Sequence, residues 1–448
     1  MLRVPQEARA LLMNLSIAFT DRTFQRILVL VAGAVLAKGR RTILGILWIM
    51  RGLVPGHFSD YHRVFSRASW SLEPLGKVLA RMLIDLVHEA RIVVAVDDTT
   101  ARHKGKKVYG KGCHYDAVRS SHEHTAWKWG HKWVVLAILV KFPFARRPWA
   151  LPVLVALYRT EELNCQEGRR HKTPADLARG LMALLLHWFP EKQFIFLGDG
   201  GYNSHELAEF CYRHRRQATL LSRFYPDAAL YDPPPIPRGK VNGRPRKKGQ
   251  KRKAPQDVVA GSRLQKTKVK WYGARTRQVL VCSGTGHWYR AGRGLVAVRW
   301  VFVRDHDGTR RDEYFFTTDP GLPASRIVEL YTWRWNIEVT FREMRDHLGF
   351  ETTRQRVRPS VLRMAPCLLG LFSLVCLIYH EHRKVHASEL CQRNGYEKTE
   401  PTFADAMACV RRLFWTKTIF QQPQLDAVFK KLPHRWKATL LDHLCQAA

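Results

Sequence analysis

Acidic residues are scarce in this chain. Against 74 Lys and Arg stand 38 Asp and Glu, a formal net charge of +36 over 448 residues. Such an excess repels itself in a compact fold unless a polyanion neutralises it, so nucleic acid is the expected partner. No uncharged apolar run reaches 18 residues, and Cys367–Tyr379 has only the length of a buried core helix. Without an amphipathic anchor or a lipidation signal, a membrane surface is not expected to take up the charge. Ile27–Leu36 begins too far in, and lacks the cleavage site, for a signal peptide. CxxC pairs are missing too. The nine cysteines, an odd and scattered set, read as thiols of a reducing cytoplasm. Cys113, His114, His122, His124 and His131 fit no structural zinc spacing and are expected to face solvent or DNA.

What is present suffices for several cores: 46% hydrophobic and 25% charged residues describe a globular chain. Residues 1–90 read as helical, through the apolar periodicity of 25–53 and 75–88. Within them, 40–70 alternate basic, aromatic and apolar residues around a Pro-Gly break at 55–56. Two readings stand there, a helix-turn-helix variant meeting DNA and an ordinary helical subdomain with a basic surface. From residue 91 the texture becomes α/β: RIVVAVDD (91–98), KWVVLAILVKF (132–142), LPVLVALY (151–158) and QFIFLGDGGY (193–202) are buried strands, with helices at 174–188 and 203–214. Residues 91–223 thus form the first part of a mixed-sheet core. Between 224 and 322 the pattern changes to short β-like runs around a proline-rich breaker. The segment 238–253 there holds nine Lys or Arg and no acid. This is a β-rich basic insertion. Residues 323–358 return to the core in a helix, and 359–448 read as a helical C-terminal region.

That returning helix carries the densest chemistry. In YTWRWNIEVTFREMR, Tyr331, Arg334, Glu338 and Arg345 stand at i, i+3, i+7 and i+14. At about 100° per residue they share an arc of roughly 60°, with Leu330, Ile337, Phe341, Met344 and Leu348 on the flank facing the core. One carboxylate among an aromatic ring and two guanidinium groups suits a phosphodiester and a metal ion better than plain packing. Further acids end two strands, Asp97 and Asp98 on one and Asp199 on the other, and in open α/β sheets ligands gather beyond such ends. Crowded carboxylates stay ionised only around a cation, and hard oxygen donors favour Mg²⁺ or Mn²⁺. Gly200 and Gly201 let backbone approach the Asp199 carboxylate. RHKGKK (102–107) and GRPRKKG within the insertion add phosphate-binding charge.

On these residues the chain resembles bacterial insertion-sequence transposases of the DDE class, which have a ribonuclease-H-like core. The resemblance is to the group with a Y-x2-R-x3-E-x6-K signature and a β-rich insertion between the second and third acids. Here Arg345 replaces the final Lys. The resemblance spans roughly residues 90–355. It implies an α/β, ribonuclease-H-like mixed-sheet core with helical N- and C-terminal regions and a β-rich insertion. It implies Asp98, Asp199 and Glu338 as the metal-binding triad, Asp98 being preferred to Asp97 because the family often shows an acid-Asp-Thr run. Two Mg²⁺ ions are implied, with Mn²⁺ able to substitute. Double-stranded DNA, both element ends and target, is the implied partner, worked on by a synaptic homodimer in the cytoplasm at the nucleoid. Tyr331, Arg334, Arg345 and Arg342 are expected on phosphates, as are Lys104, Lys106, Lys107, Arg244, Arg246, Lys247 and Lys248. Relatives often flip a base against an aromatic ring, and Trp288, Trp300, Trp333 and Trp335 are candidates for that role. A DNA-binding regulator without catalysis and a stand-alone nuclease are the alternatives to end cleavage followed by strand transfer.

Overall fold

The computed structural model describes residues 2–116, 119–120, 123–236, 246–386 and 398–446. Five helices open the chain: α1 (Gln6–Asn14), α2 (Asp21–Leu36), α3 (Ile43–Ile49), α4 (Phe58–Ser66) and α5 (Leu72–Ile84). In α2 the run from Ile27 to Leu30 and from Ala32 to Leu36 is buried, as a helix apolar on nearly every side must be. The stretch 40–70 becomes two short helices, α3 and α4, with Leu44 and Trp48 left exposed.

The sheet begins at β1 (Arg91–Arg102), then β2 (Gly112–Tyr115), β3 (Trp127–Val140) and β4 (Trp149–Tyr158). After α6 (Glu161–Gln166) and α7 (Pro174–Trp188) come β5 (Gln193–Leu197), α8 (His205–Arg213) and β6 (Ala218–Arg223). Helix α7 starts where its sequence dictates. Thr173 and Asp176 form a reciprocal capping box around Pro174 at the first helical position. The β-rich part supplies β7 (Leu230–Tyr231), α9 (Pro255–Ala260), β8 (Gln265–Lys270), β9 (Thr276–Arg290), β10 (Gly294–Asp305) and β11 (Glu313–Thr317). Helices α10 (Ala324–Trp333), α11 (Trp335–Leu348), α12 (Arg358–Val385), α13 (Phe403–Phe414), α14 (Pro423–Lys431) and α15 (His434–Cys445) complete the described chain.

Among the described residues eleven strands make one mixed sheet in the order β2-β3-β1-β5-β6-β11-β10-β9-β7, with β4 also on β3 and β8 on β9. β1, β5 and β6 are parallel, and β3 runs antiparallel to β1. This is the α/β architecture expected of the core. The insertion strands are no separate sheet, because β11 pairs with β6 and carries the ladder outward.

Two elements differ from their sequence reading. β1 does not stop at its acids. Its pairing with β3 continues to Arg102 opposite Gly130, whereas its parallel pairing with β5 ends at Ala95 opposite Leu197. The acids therefore stand on a strand still held on one side and open on the other. α12 is also longer than the expected apolar run, at 28 residues, and its best window reaches a mean hydropathy of 2.2. It is long and apolar enough to cross a membrane, yet 67% of that window is buried within the protein. Its Ser373 donates to the Pro152 carbonyl of β4, so here it serves as a core helix.

Candidate active site

Successive residues of a strand point to opposite faces, so β1 can offer only one of its two adjacent carboxylates to any one helix. Asp97 is the one that meets α11. Arg334 Nη1 donates to Asp97 Oδ2 at 3.1 Å, and Nη2 of the same guanidinium reaches Glu338 Oε1 at 2.9 Å. Two residues on, Thr99 lies on the same face and accepts from Arg345. Asp98 is turned the other way. Lys132 Nζ lies 3.0 Å from its Oδ1 and the Tyr202 hydroxyl donates to its Oδ2 at 3.2 Å. Asp97, and not the expected Asp98, is thus the carboxylate that pairs with Arg334, and strand alternation keeps Asp98 on the other face.

Asp199 joins the same group through sheet register. Ala95 and Leu197 are paired parallel neighbours, and Asp97 and Asp199 each stand two residues beyond them. The Asp199 carboxylate accepts from the Gly201 amide at 2.8 Å, which opens the short 3₁₀ turn Gly200–Tyr202. Ser222 holds the Asp199 carbonyl from β6. The turn buries Tyr202 beneath the acids. Burial, then the charges of Asp98, Asp97 and Asp199, push its hydroxyl well above the ordinary tyrosine range.

The electrostatics of the cluster are those of crowded carboxylates. Burial, then the neighbouring charge of Asp199, push Asp97 up to about 8, despite the opposing pull of Arg334. Burial disfavours the Arg334 guanidinium, but Tyr331, Asp97, Glu338 and Asp199 together hold its pKa above the usual value. Its Nε is buried with no partner among the described residues. A positive charge is thus already demanded at this point, and one side chain supplies it. Asp97, Asp199 and Glu338 are hard oxygen donors around that charge, which fits Mg²⁺ or Mn²⁺. They are not drawn together to single-ion distance. Among the described residues, the group of three ligand atoms within 4.8 Å of one another is Glu7, His382 and His386, elsewhere in the fold. There Glu7 is already paired with Lys417 at 2.6 Å.

The signature helix is not one uninterrupted rod. α10 ends at Trp333 and α11 begins at Trp335, the Ile337 amide bonding back to Arg334 over three residues. Arg334 keeps helical backbone angles, so the four signature residues stay on neighbouring positions despite the tightened turn. Tyr331 is 1% exposed, packs on Phe315 and accepts from Arg223 Nε at 3.0 Å. As placed, its hydroxyl braces Arg223 and does not face outward towards a phosphate. Arg345 bonds Thr99 and lies 3.5 Å from Glu351. Arg342, Lys104, Lys106 and Lys107 are exposed. Arg246 is exposed as well, and Lys248 lies 4.1 Å over Tyr231 and 4.4 Å over Tyr289, beside Lys247. Arg244 lies outside the described residues.

Of the aromatic candidates, Trp300 is buried, and Trp288 is enclosed by His205, Phe224 and Phe316. Trp333 packs with Lys141 and Arg326, and Trp335 has an exposed ring, at 48%. Sequence reasoning missed Tyr202, Lys132 and Arg223. Tyr202 stands three positions after Asp199, and that proximity is the available signal; Lys132 and Arg223 have no acid within three positions in the sequence to mark them.

Fold and geometry together define an α/β protein with a carboxylate–guanidinium cluster just beyond the last paired residues of two parallel strands, β1 and β5. The chain belongs to the DDE superfamily endonucleases, whose family model matches residues 14–278. That match ends before Glu338. No curated protein matches the chain. Among solved structures it is similar to a piggyBac transposase, in a cryo-EM synaptic complex with hairpin DNA. The identity is 11% and the TM-score 0.41, covering 99% of this chain and 82% of that one.

Proposed function

We propose that this DDE superfamily endonuclease is a DNA transposase, cutting the ends of a mobile element and joining their 3′-hydroxyls to target DNA. The observation that carries the reading is the convergence of Asp97, Asp199 and Glu338 around buried Arg334, in a chain of net charge +36. Asp97, Asp199 and Glu338 would hold the divalent ions. When bound, such ions supply Lewis acidity for in-line displacement at a phosphodiester.

The chain's own residues do the rest. Arg334 neutralises the cluster at rest. Lys132 and Tyr202 keep Asp98 engaged on the far face, so it positions β1 instead of competing for the ion. Arg345 ties the end of α11 to Thr99 and so fixes Glu338 relative to Asp97. Exposed Arg342, Lys104, Lys106 and Lys107 draw the phosphate backbone towards the acids. Cutting two ends together calls for a synaptic homodimer, with DNA bridging the protomers.

The test is nicking of supercoiled DNA with Mg²⁺. Asp97→Asn and Glu338→Gln are expected to lower the rate by on the order of 100-fold or more, because each removes a ligand. Asp98→Asn is expected to lose far less. Full activity in Asp97→Asn would overturn the assignment. Cleavage retained without joining of a pre-cut end to target would make the chain a nuclease only.

A further inference from the structure

Three large aromatic side chains stand exposed together at the far end of the β2–β3 hairpin: Tyr115 at 55%, Trp127 at 63% and Trp129 at 59%. Tyr115 lies opposite Trp127 in the ladder, and their rings meet nearly edge-on at 6.3 Å. Left in water, such rings forgo the stabilisation that burial gives, so a covering partner is indicated.

Register identifies the face. Asp97 is paired with Val135, and directly paired residues project to the same side of a sheet. Stepping by two along β3, from Val135 through Trp133 and His131, reaches Trp129 and Trp127. The pairing from Val94 to Arg102 has no bulge, so the parity holds. The aromatic rings therefore project from the face that carries Asp97. Trp129 is six residues from Val135, roughly 20 Å along the strand.

The space between is basic. Lys111 Nζ lies 5.3 Å over the Trp129 ring. His103, packed against His131, is held below its usual pKa by burial and then by the charges of Lys111, Arg354 and Arg356. Arg354 and Arg356 are themselves exposed. Cations beside exposed rings are the chemistry of a nucleic-acid strand whose bases are unstacked, since aromatic faces take bases of any sequence while cations take phosphates. A duplex hides its base faces, so the partner must present unpaired nucleotides.

We propose that Tyr115, Trp127 and Trp129 form a stacking platform for unpaired bases of the DNA strand that runs from the carboxylate cluster. At about 3.4 Å per nucleotide, these bases lie on the order of six nucleotides from the scissile phosphate. The proposal rests on the DNA reading above.

The experiment measures affinity of the full chain, by fluorescence anisotropy over a salt series, for a mixed-sequence single strand and for the matching duplex. Trp127→Ala/Trp129→Ala is expected to weaken single-strand binding at least roughly 30-fold, and duplex binding much less. Trp127→Phe/Trp129→Phe should restore most of the single-strand affinity. Trp436→Ala, removing an exposed ring of α15 outside the hairpin, should change neither; an equal loss there would sink the platform. Thermal unfolding of each variant checks that the fold is kept. Wild-type single-strand affinity in the double alanine variant overturns the platform, and so does an equal loss on duplex and single strand. A wild-type chain with no salt-dependent affinity for either DNA would instead overturn the DNA reading itself.

Discussion

Asp97 and Asp98 are chemically identical neighbours with different surroundings. One lies against Asp199 and Arg334; the other is held by Lys132 and Tyr202. On the proposed function their roles separate by face, and the paired Asn variants measure that separation. Burial acts on other side chains here too. It holds His131 down to about 4, opposed by its bond to the Tyr109 carbonyl, and holds His114 at about 4 with help from Lys132. Both are neutral in folded and unfolded chains above about pH 6.5. Below that the unfolded chain takes up protons that the folded one refuses until about pH 4. Their stabilisation is thus full above about 6.5 and is lost progressively as pH falls to about 4, by up to roughly 3 kcal/mol for each. Denaturant midpoints across that window should fall, and His114→Gln/His131→Gln should flatten the slope. A slope unchanged by that pair would refute the cause.

At the scale of elements, the two long strands beside the acids run unusually close. A Cβ on Gly130 would lie 2.1 Å from the Ala101 carbonyl oxygen, and its nearest neighbours are all backbone atoms of β1. Gly130→Ala should therefore cost roughly 2 kcal/mol or more by denaturant titration. Gly180→Ala in α7, where a Cβ meets nothing within 4 Å among the described residues, should be neutral or stabilising by about 0.5–1 kcal/mol. Equal effects at the two positions would contradict the close approach. Helix α11 is seated by similar local bonds. Thr340 donates to the Ala150 carbonyl of β4, and buried Arg41 donates to the His347 carbonyl near the helix end. The helix, its core stripe and Glu338 were legible from periodicity, because spacing along a helix is a local property. The tightened turn at Arg334 was not, since it answers to Asp97, more than two hundred residues away in the chain.

For the whole molecule the dominant quantity is charge. On the proposed function, a net +36 would find its counter-charge on DNA phosphates, and affinity would fall steeply with salt. If about six to ten phosphates are contacted, duplex affinity should drop by on the order of 10³–10⁵-fold between about 50 and 200 mM salt. A nearly flat salt response would show that the basic surface lies off the DNA. Composition determined this electrostatic character by itself, because charge counts need no geometry. The sequence likewise determined the α/β alternation, the basic β-rich stretch and the acids at 97–98, 199 and 338, since all follow from local patterns. Tertiary structure alone decided which of two adjacent aspartates shares Arg334 with Glu338. It also decided that Tyr331 turns inward to Arg223, and that Trp127 and Trp129 share a face with Asp97. Each of these depends on which strand lies beside which, and in what register. Pairings between distant segments leave no periodic mark in either segment alone.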